Sequence, residues 1–513
     1  MTRIFLFSFF LEKKRYNPWR IYGGLRTSIG ELNMAEIDAL RRKLESYGQG
    51  HLLAFYDELS PGHRDVLLGQ IEAVDFDRLG ELIEGYVRHK PAVEVPRDIQ
   101  PPEIIPAGCG DDQTLRDQAI SRGRELLAAG KVAAFVVAGG QGSRLGYEGP
   151  KGCLPASPVV NKPLFRLFAE QLRATALRHR VTIPWYILTS PTNDTATKAH
   201  FRQNDFWGFS PKDVIFVQQG TMPTIGMDGK LLLARKYRMA VSPDGHGGSL
   251  TALRASGALD DMKARGVEHV SYFQVDNPLV RVLDPLFIGL HDLANAEMSA
   301  KCIAKRDPLE KVGNFCTVGG KVIVIEYSDL PDDLARACNS DGRLKFMAGS
   351  IAIHMFAREF IENITAGGTC KLPLHRADKK VPYIDPATGQ SISPEKPNAV
   401  KLEMFVFDAM PLAQRTVILE TLREEEFSPI KNADGPDSLV TSLHDQVRRA
   451  GGWLEAAGVA VPRDASGQVA AAVEISPLFA DSEEELAAKV DKSISISPGQ
   501  KFYLGSRGQI GGT

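Results

Sequence analysis

The sequence predicts an α/β protein: an open, mostly parallel sheet flanked by helices, preceded by a helical region and followed by a small domain. Short β-rich runs alternate with amphipathic stretches through the middle of the chain, the rhythm of β-α-β units. A glycine-rich segment follows the first of these runs, where α/β sheets collect ligands at the carboxyl ends of strands. The length of 513 residues leaves room for two to four domains at about 150 residues each.

Residues 1–33 read as an extension preceding Met34. The apolar run Ile4-Phe5-Leu6-Phe7-Ser8-Phe9-Phe10-Leu11 falls far short of the ~20 residues a membrane helix needs. Glu12-Lys13-Lys14-Arg15 follows it in place of a small-residue cleavage site. Residues 34–105 predict a helical region and a linker. Ile37, Leu40 and Leu44 share one helix face, and Ser60-Pro61 forms a cap with Pro at the first helical position. Five prolines between Lys90 and Pro106 mark the linker.

The central domain is expected over 106–435. Its strands are Val132–Val137, Trp185–Thr189, Val214–Val217, Val270–Val275 and Met298–Ile303, with helices over Pro163–Leu177 and Ser249–Arg265. Phe315–Val318 and Lys321–Ile325 around Gly319-Gly320 predict a hairpin. A helix over Leu439–Leu454 and weakly patterned short strands predict a small C-terminal domain over 436–513.

Composition narrows the class of function. Hydrophobic residues make up 43% and charged residues 24%, which excludes a disordered or fibrous chain. Lys plus Arg number 61 against 63 for Asp plus Glu, a net charge of −2. No global basic field exists to hold nucleic acid or an anionic membrane, so an anionic ligand must be met locally. Six cysteines with no CxxC pair argue against a disulfide scaffold or a structural zinc site. The expectation is a cytoplasmic protein.

The local anion site is Gly139-Gly140-Gln141-Gly142-Ser143-Arg144-Leu145-Gly146, with Pro150-Lys151 close behind. Glycines let backbone N–H groups approach phosphate oxygens, and Arg144 and Lys151 add positive charge. The spacing fits neither GxxxxGK[ST] nor GxGxxG, so a P-loop nucleoside triphosphatase and a nicotinamide-dependent oxidoreductase are both disfavoured. Asp276 ends the run Tyr272-Phe273-Gln274-Val275. A carboxylate at a strand's carboxyl end suits a hard divalent ion, although Asp before Asn277-Pro278 also suits a plain turn.

The glycine segment resembles the signature of nucleotide-sugar pyrophosphorylases, and the match continues in order. It runs through Ile215–Gly220, Ser242-Pro243-Asp244-Gly245-His246-Gly247-Gly248, Gln274–Asn277, Glu326-Tyr327-Ser328, Ala348–Ile351, Phe405–Asp408 and Ser428–Asp434. The series is similar to the eukaryotic-type UDP-N-acetylglucosamine pyrophosphorylases, within the UTP-dependent uridylyltransferases. The resemblance implies a Rossmann-like nucleotidyltransferase (GT-A-like) core with a mixed, mostly parallel sheet. It also implies a reaction of UTP with a sugar 1-phosphate, assisted by Mg²⁺ or Mn²⁺.

By the same resemblance, Gly139, Gly140 and Gly142 contact the nucleotide, Arg144 and Lys151 hold the UTP phosphates, and Lys431 reaches the phosphate from the far side. Gln219 and Gly245 meet the uracil, and Asp276 binds the metal. Gly313, Glu326, Tyr327, Phe405 and Phe407 match sugar-contacting positions, although periodicity alone makes the two phenylalanines core residues. At two further sugar positions the family's Asn is replaced by His246 and Ser350, and Gly245-His246-Gly247 is similar to the UDP-glucose enzymes. The long-range match, including Glu326-Tyr327-Ser328 and the Lys431 loop, makes UDP-N-acetylglucosamine synthesis the first expectation. UDP-glucose or broad-specificity synthesis is the second, and a non-catalytic UDP-sugar-binding protein a distant third.

Overall fold

The computed structural model describes residues 33–91, 95–368, 370–506 and 510–511, so the expected extension lies outside it apart from Asn33. Asn33 caps the first helix, Met34–Ser46. Its side chain accepts from the Glu36 N–H while Glu36 accepts from the Asn33 N–H, a reciprocal capping box. Pro61–Glu72 begins where Ser60-Pro61 predicts, although the Ser60 side chain makes no capping bond.

A nine-stranded sheet organises the middle of the chain. Its strands are β1 Val132–Val137, β2 Trp185–Thr189, β3 Val214–Gln218, β4 His269–Gln274, β5 Met298–Ala304, β6 Gly313–Val318, β7 Lys321–Ile325, β8 Ala348–Ala357 and β9 Thr416–Glu420. The order β3-β2-β1-β4 is wholly parallel. These strands are continuous apolar runs because helices cover both their faces. Phe135, Tyr186 and Leu188 pack into one core, whereas Ala134, Val136, Trp185 and Ile187 pack into the other. Beyond β4 the sheet turns antiparallel. β8 pairs with β4, β5 and β6, the hairpin β6-β7 closes one edge, and β9 adds to β5 in parallel.

Two sheet strands escape the sequence pattern. β8 contains Gly349, Ser350 and Ala352, and its register shifts against β5 where Ala352 adopts φ +55°. The bulge lets β8 leave β4 and reach β6, and it erases the apolar alternation. β9 is only five residues long, too short for its period to stand out from a loop. The stretch Ser249–Arg265 is not one helix but two, Gly248–Ala255 and Ala258–Ala264. Gly257 at φ +77° ends the first of them. The proline-rich linker is stitched to the sheet, with Gln100 pairing Thr317 and Ile105 pairing Leu419.

The N-terminal helices bury Leu44, Leu67 and Ile71 against Met222, Ile225, Val400 and Leu402, segments that run on into the site described below. At the other end of the chain, Lys162 Nζ lies 2.7 Å from Glu170 and 3.1 Å from Glu474, joining the C-terminal segment to the sheet's helix Leu164–His179. Among the described residues no helix is long and apolar enough to cross a membrane.

Candidate active site

The site gathers at the carboxyl ends of β1, β3 and β4. The glycine loop leaves β1 and folds back on itself: Gly142 N–H donates to Gly149 O at 2.8 Å, and Lys151 N–H to Gly140 O at 3.1 Å. Asn193 holds the loop from beneath, its Nδ2 donating to Ala138 O at 2.8 Å and to Gly140 O at 3.2 Å. Gly142 is required because a Cβ there would stand 2.9 Å from Tyr147 O. Around Gly140 the corresponding space is open. Arg144 is exposed and makes no ion pair among the described residues.

Two predicted charged residues meet, and the segment that carries a third, Lys431, runs beside them. Lys151 Nζ lies 3.6 Å from Asp276 Oδ2 and 3.4 Å from Ile430 O, while the Ile430 N–H donates to Asp276 O at 2.8 Å. Lys431 follows directly, its ammonium 5.7 Å from the Phe427 ring centroid. Asn277 secures this junction: Nδ2 donates to Glu426 O, and Oδ1 accepts from the Ser428 N–H. Among the described residues no cluster of three or more metal-type side chains forms. Asp276 thus offers one hard oxygen donor beside the loop.

Gln219 leaves β3 with its side chain folded toward Asp244-Gly245. Nε2 donates to Asp244 Oδ1 at 3.1 Å and to Gly245 O at 2.7 Å. Gly245 has φ +85°, and a Cβ there would stand 2.3 Å from Met404 O. The backbone Asp244–Gly247 therefore lies flush against Met404, to which Gly247 N–H donates at 2.8 Å.

That contact brings His246 to the aromatic residues downstream. His246 stacks on Phe405 with 5.2 Å between centroids and lies 5.8 Å from Phe407. His246 Nδ1 accepts from the Val406 N–H at 3.0 Å, so the neutral ring carries its proton on Nε2. Burial, helped by His375, pushes the His246 pKa down to about 4. Phe405 also stacks on His375 at 4.1 Å, and His375 holds Asp408 Oδ2 at 2.7 Å. His375 and Asp408 carried no assigned role in the sequence, since a lone His in a weakly patterned run gives no signal.

The remaining residues expected on the sugar side come from the antiparallel strands. Gly313 pairs with Ser350 in register, and a Cβ on Gly313 would lie 3.7 Å from Glu326 Oε1. Burial holds the Glu326 carboxyl above its ordinary range; Asp329 and Asp408 push the same way, opposed by His375 and Lys431. Tyr327 is the outlier: it stands 42% exposed. The structure thus brings Gly313, Glu326 and Ser350 together, and separately His246, Phe405 and Phe407. It leaves Tyr327 and Arg144 open to solvent.

Comparison with known proteins places the chain in a family. Residues 84–460 match the family model described as UTP–glucose-1-phosphate uridylyltransferase. The UDP-N-acetylhexosamine pyrophosphorylase-like protein 1 of Homo sapiens is 38% identical over 480 residues, covering 88% of this chain and 94% of that protein. The UDP-N-acetylglucosamine diphosphorylase 2 of Arabidopsis thaliana is 37% identical, covering 88% and 91%. A crystal structure of the uridine diphosphate N-acetylglucosamine pyrophosphorylase from Trypanosoma brucei, in complex with inhibitor, superposes with a TM-score of 0.73 at 25% identity, covering 90% of this chain and 95% of that one. With a family model spanning most of its length and relatives this similar, the chain belongs to the UTP–glucose-1-phosphate uridylyltransferase family.

Proposed function

We propose that the protein is a UTP:sugar-1-phosphate uridylyltransferase whose preferred acceptor is N-acetylglucosamine 1-phosphate. The observation that carries the reading is the meeting of Lys151, Asp276 and the Ile430–Lys431 segment beside the glycine loop. Relatives named for UDP-N-acetylglucosamine support the choice of sugar.

A sugar phosphate oxygen attacks the α-phosphorus of UTP in line. An O–P bond forms, the bond to the bridging oxygen of the β-phosphate breaks, and pyrophosphate leaves. Two anions must be held together, so catalysis rests on positioning and charge neutralisation. The backbone of Gly139, Gly140 and Gly142 lines the phosphates. Arg144, unpaired and exposed, is available to close on the β- and γ-phosphates, and Lys151 and Lys431 flank the transferring group. Asp276 would hold Mg²⁺ or Mn²⁺; a single carboxylate suits a hard ion that takes its other oxygens from phosphates and water. Bound there, such an ion neutralises charge developing on the leaving pyrophosphate.

On the sugar side, Glu326, Ser350 and the Nε2–H of His246 offer an acceptor, a hydroxyl and a donor to hydroxyl or acetamido groups. His246 specifically favours a second reading, glucose 1-phosphate or a range of sugar phosphates, because a ring fills space that an Asn leaves free. Retention of Arg144, Lys151, Asp276 and Lys431 argues against a protein that only binds UDP-sugars. Pyrophosphate release with UTP and Mg²⁺ decides among these, comparing the two sugar 1-phosphates. Turnover confined to the acetylated sugar supports the first reading, preference for glucose the second, and no turnover with either overturns catalysis.

A further inference from the structure

Gln219 is held by a group to which the reaction assigns no part. Its Nε2 faces two acceptors, Asp244 Oδ1 at 3.1 Å and Gly245 O at 2.7 Å. A side-chain amide has two N–H donors and one carbonyl. Both donors are therefore occupied, and turning the amide over would set Oε1 against a carbonyl and, above the carboxyl's raised pKa of about 7, an ionised carboxylate. The neighbours leave one orientation, with Oε1 free of any hydrogen bond among the described residues. Oε1 lies against the glycine loop, 2.9 Å from where a Cβ on Gly139 would stand.

Asp244 is itself fixed in place. A Cβ on Gly220 would come within 2.5 Å of its Oδ2, and one on Gly248 within 2.1 Å of its Oδ1. Only glycines leave that slot open. The aspartate's backbone is pinned as well, its N–H donating to Gly220 O and its carbonyl accepting from the Met404 N–H. Burial raises the carboxyl pKa to about 7, a cost that the Gln219 hydrogen bond partly offsets.

We propose that Asp244 is a positioning residue for base selection: by accepting from Gln219 Nε2 it turns Oε1 toward the base, admitting uracil and rejecting cytosine. Uracil presents an N–H at ring position 3, which an acceptor-only oxygen can receive. Cytosine presents a lone pair at the same position, and two acceptors face to face repel. This inference rests on the reading of the chain as a UTP-dependent enzyme.

The test is kcat/KM for UTP and for CTP at pH 8, where Asp244 is ionised, in the wild-type chain, Asp244→Ala and Asp244→Asn. Asp244→Ala is expected to lower the UTP-over-CTP ratio about tenfold, roughly the worth of one hydrogen bond to a charged group. Asp244→Asn is expected to stay within about threefold of wild type, because its Oδ1 still accepts. An unchanged ratio in Asp244→Ala, or equal losses with both nucleotides, overturns the proposal. So does failure of Asn to rescue. If Asp244→Ala does not fold, Asp244→Ser is measured in its place. Thermal protection by UTP against CTP reads the same contrast without turnover. A chain that is protected selectively by UTP but releases no pyrophosphate would therefore sink the functional reading and leave this one standing.

Discussion

The proposed nucleotide side of the site rises from the parallel strands β1, β3 and β4, whereas the proposed sugar side hangs on the antiparallel β6, β7 and β8 and on Phe405–Asp408. On the first side the contacts are short in sequence and mostly backbone: a loop closed by its own hydrogen bonds, with glycines where a Cβ would strike a neighbour. On the second they are side chains assembled from six separated positions, 246, 313, 326, 350, 405 and 407. A backbone cradle tolerates little change, because a phosphate is the same in every nucleotide. A side-chain wall can be re-cut residue by residue. The contrast predicts that damage on the nucleotide side lowers the rate for every sugar, while damage on the sugar side redistributes rate among sugars.

The largest effect is expected at the junction of Lys151 with Asp276. Lys151→Ala removes a cation beside the transferring phosphate and should lower kcat by roughly 10²–10³-fold, equally for both sugar phosphates. Because Lys151 is half-buried and not a core residue, Tm should hold. A loss confined to one sugar would break the division between the two sides. Gly245→Ala comes next, since Gly245 belongs to both: its Cβ would meet Met404 O at 2.3 Å while φ stays at +85°. The strained backbone alone costs about 1–2 kcal/mol, and moving Met404 displaces Phe405. Tm should fall, and KM should rise for UTP and sugar phosphate together. A variant that loses one substrate alone would show the two sides to be mechanically separate.

The same contrast explains what the sequence made legible. The parallel strands announce themselves as apolar runs, and the glycine loop as a spacing with a physical reason. The sugar side is harder to read because its determinants are relations between distant segments. His375 becomes meaningful only once Phe405 lies 4.1 Å from it and Asp408 hydrogen-bonds its Nε2. β8 hides because its bulge at Ala352 breaks the period that would reveal a strand. Asp244 was visible within its motif, yet nothing in the spacing of residues 219 and 244 tells which amide atom faces it.

His246 sharpens the comparison with a smaller, directional effect. His246→Asn should shift the ratio of kcat/KM between the acetylated and the glucose substrate by about fivefold, below the roughly 10–200-fold that gaining or losing a whole group can command, and leave KM for UTP within about twofold. The sign with pH follows from the depressed pKa. A ring that protonates near 4 is neutral throughout pH 5.5–8, so the wild-type sugar ratio should be flat over that range. A ratio that bends near the ordinary histidine value of about 6.5 would mean that the ring is not buried as described.

His375→Leu removes the ring beneath Phe405 together with its bond to Asp408. The stack is worth about 0.5–1.5 kcal/mol, so KM for the sugar phosphate should rise roughly two- to tenfold with UTP unaffected. Tyr327 marks the lower bound. It is 42% exposed, beside a carboxylate, Glu326, that burial holds above its ordinary range. An exposed ring contributes little until substrate covers it, so Tyr327→Phe should change kcat/KM by less than about twofold, in keeping with the small effects of surface substitutions. A tenfold loss would mean that Tyr327 folds inward over the bound sugar, and that the sugar side closes around its ligand while the nucleotide side is already formed.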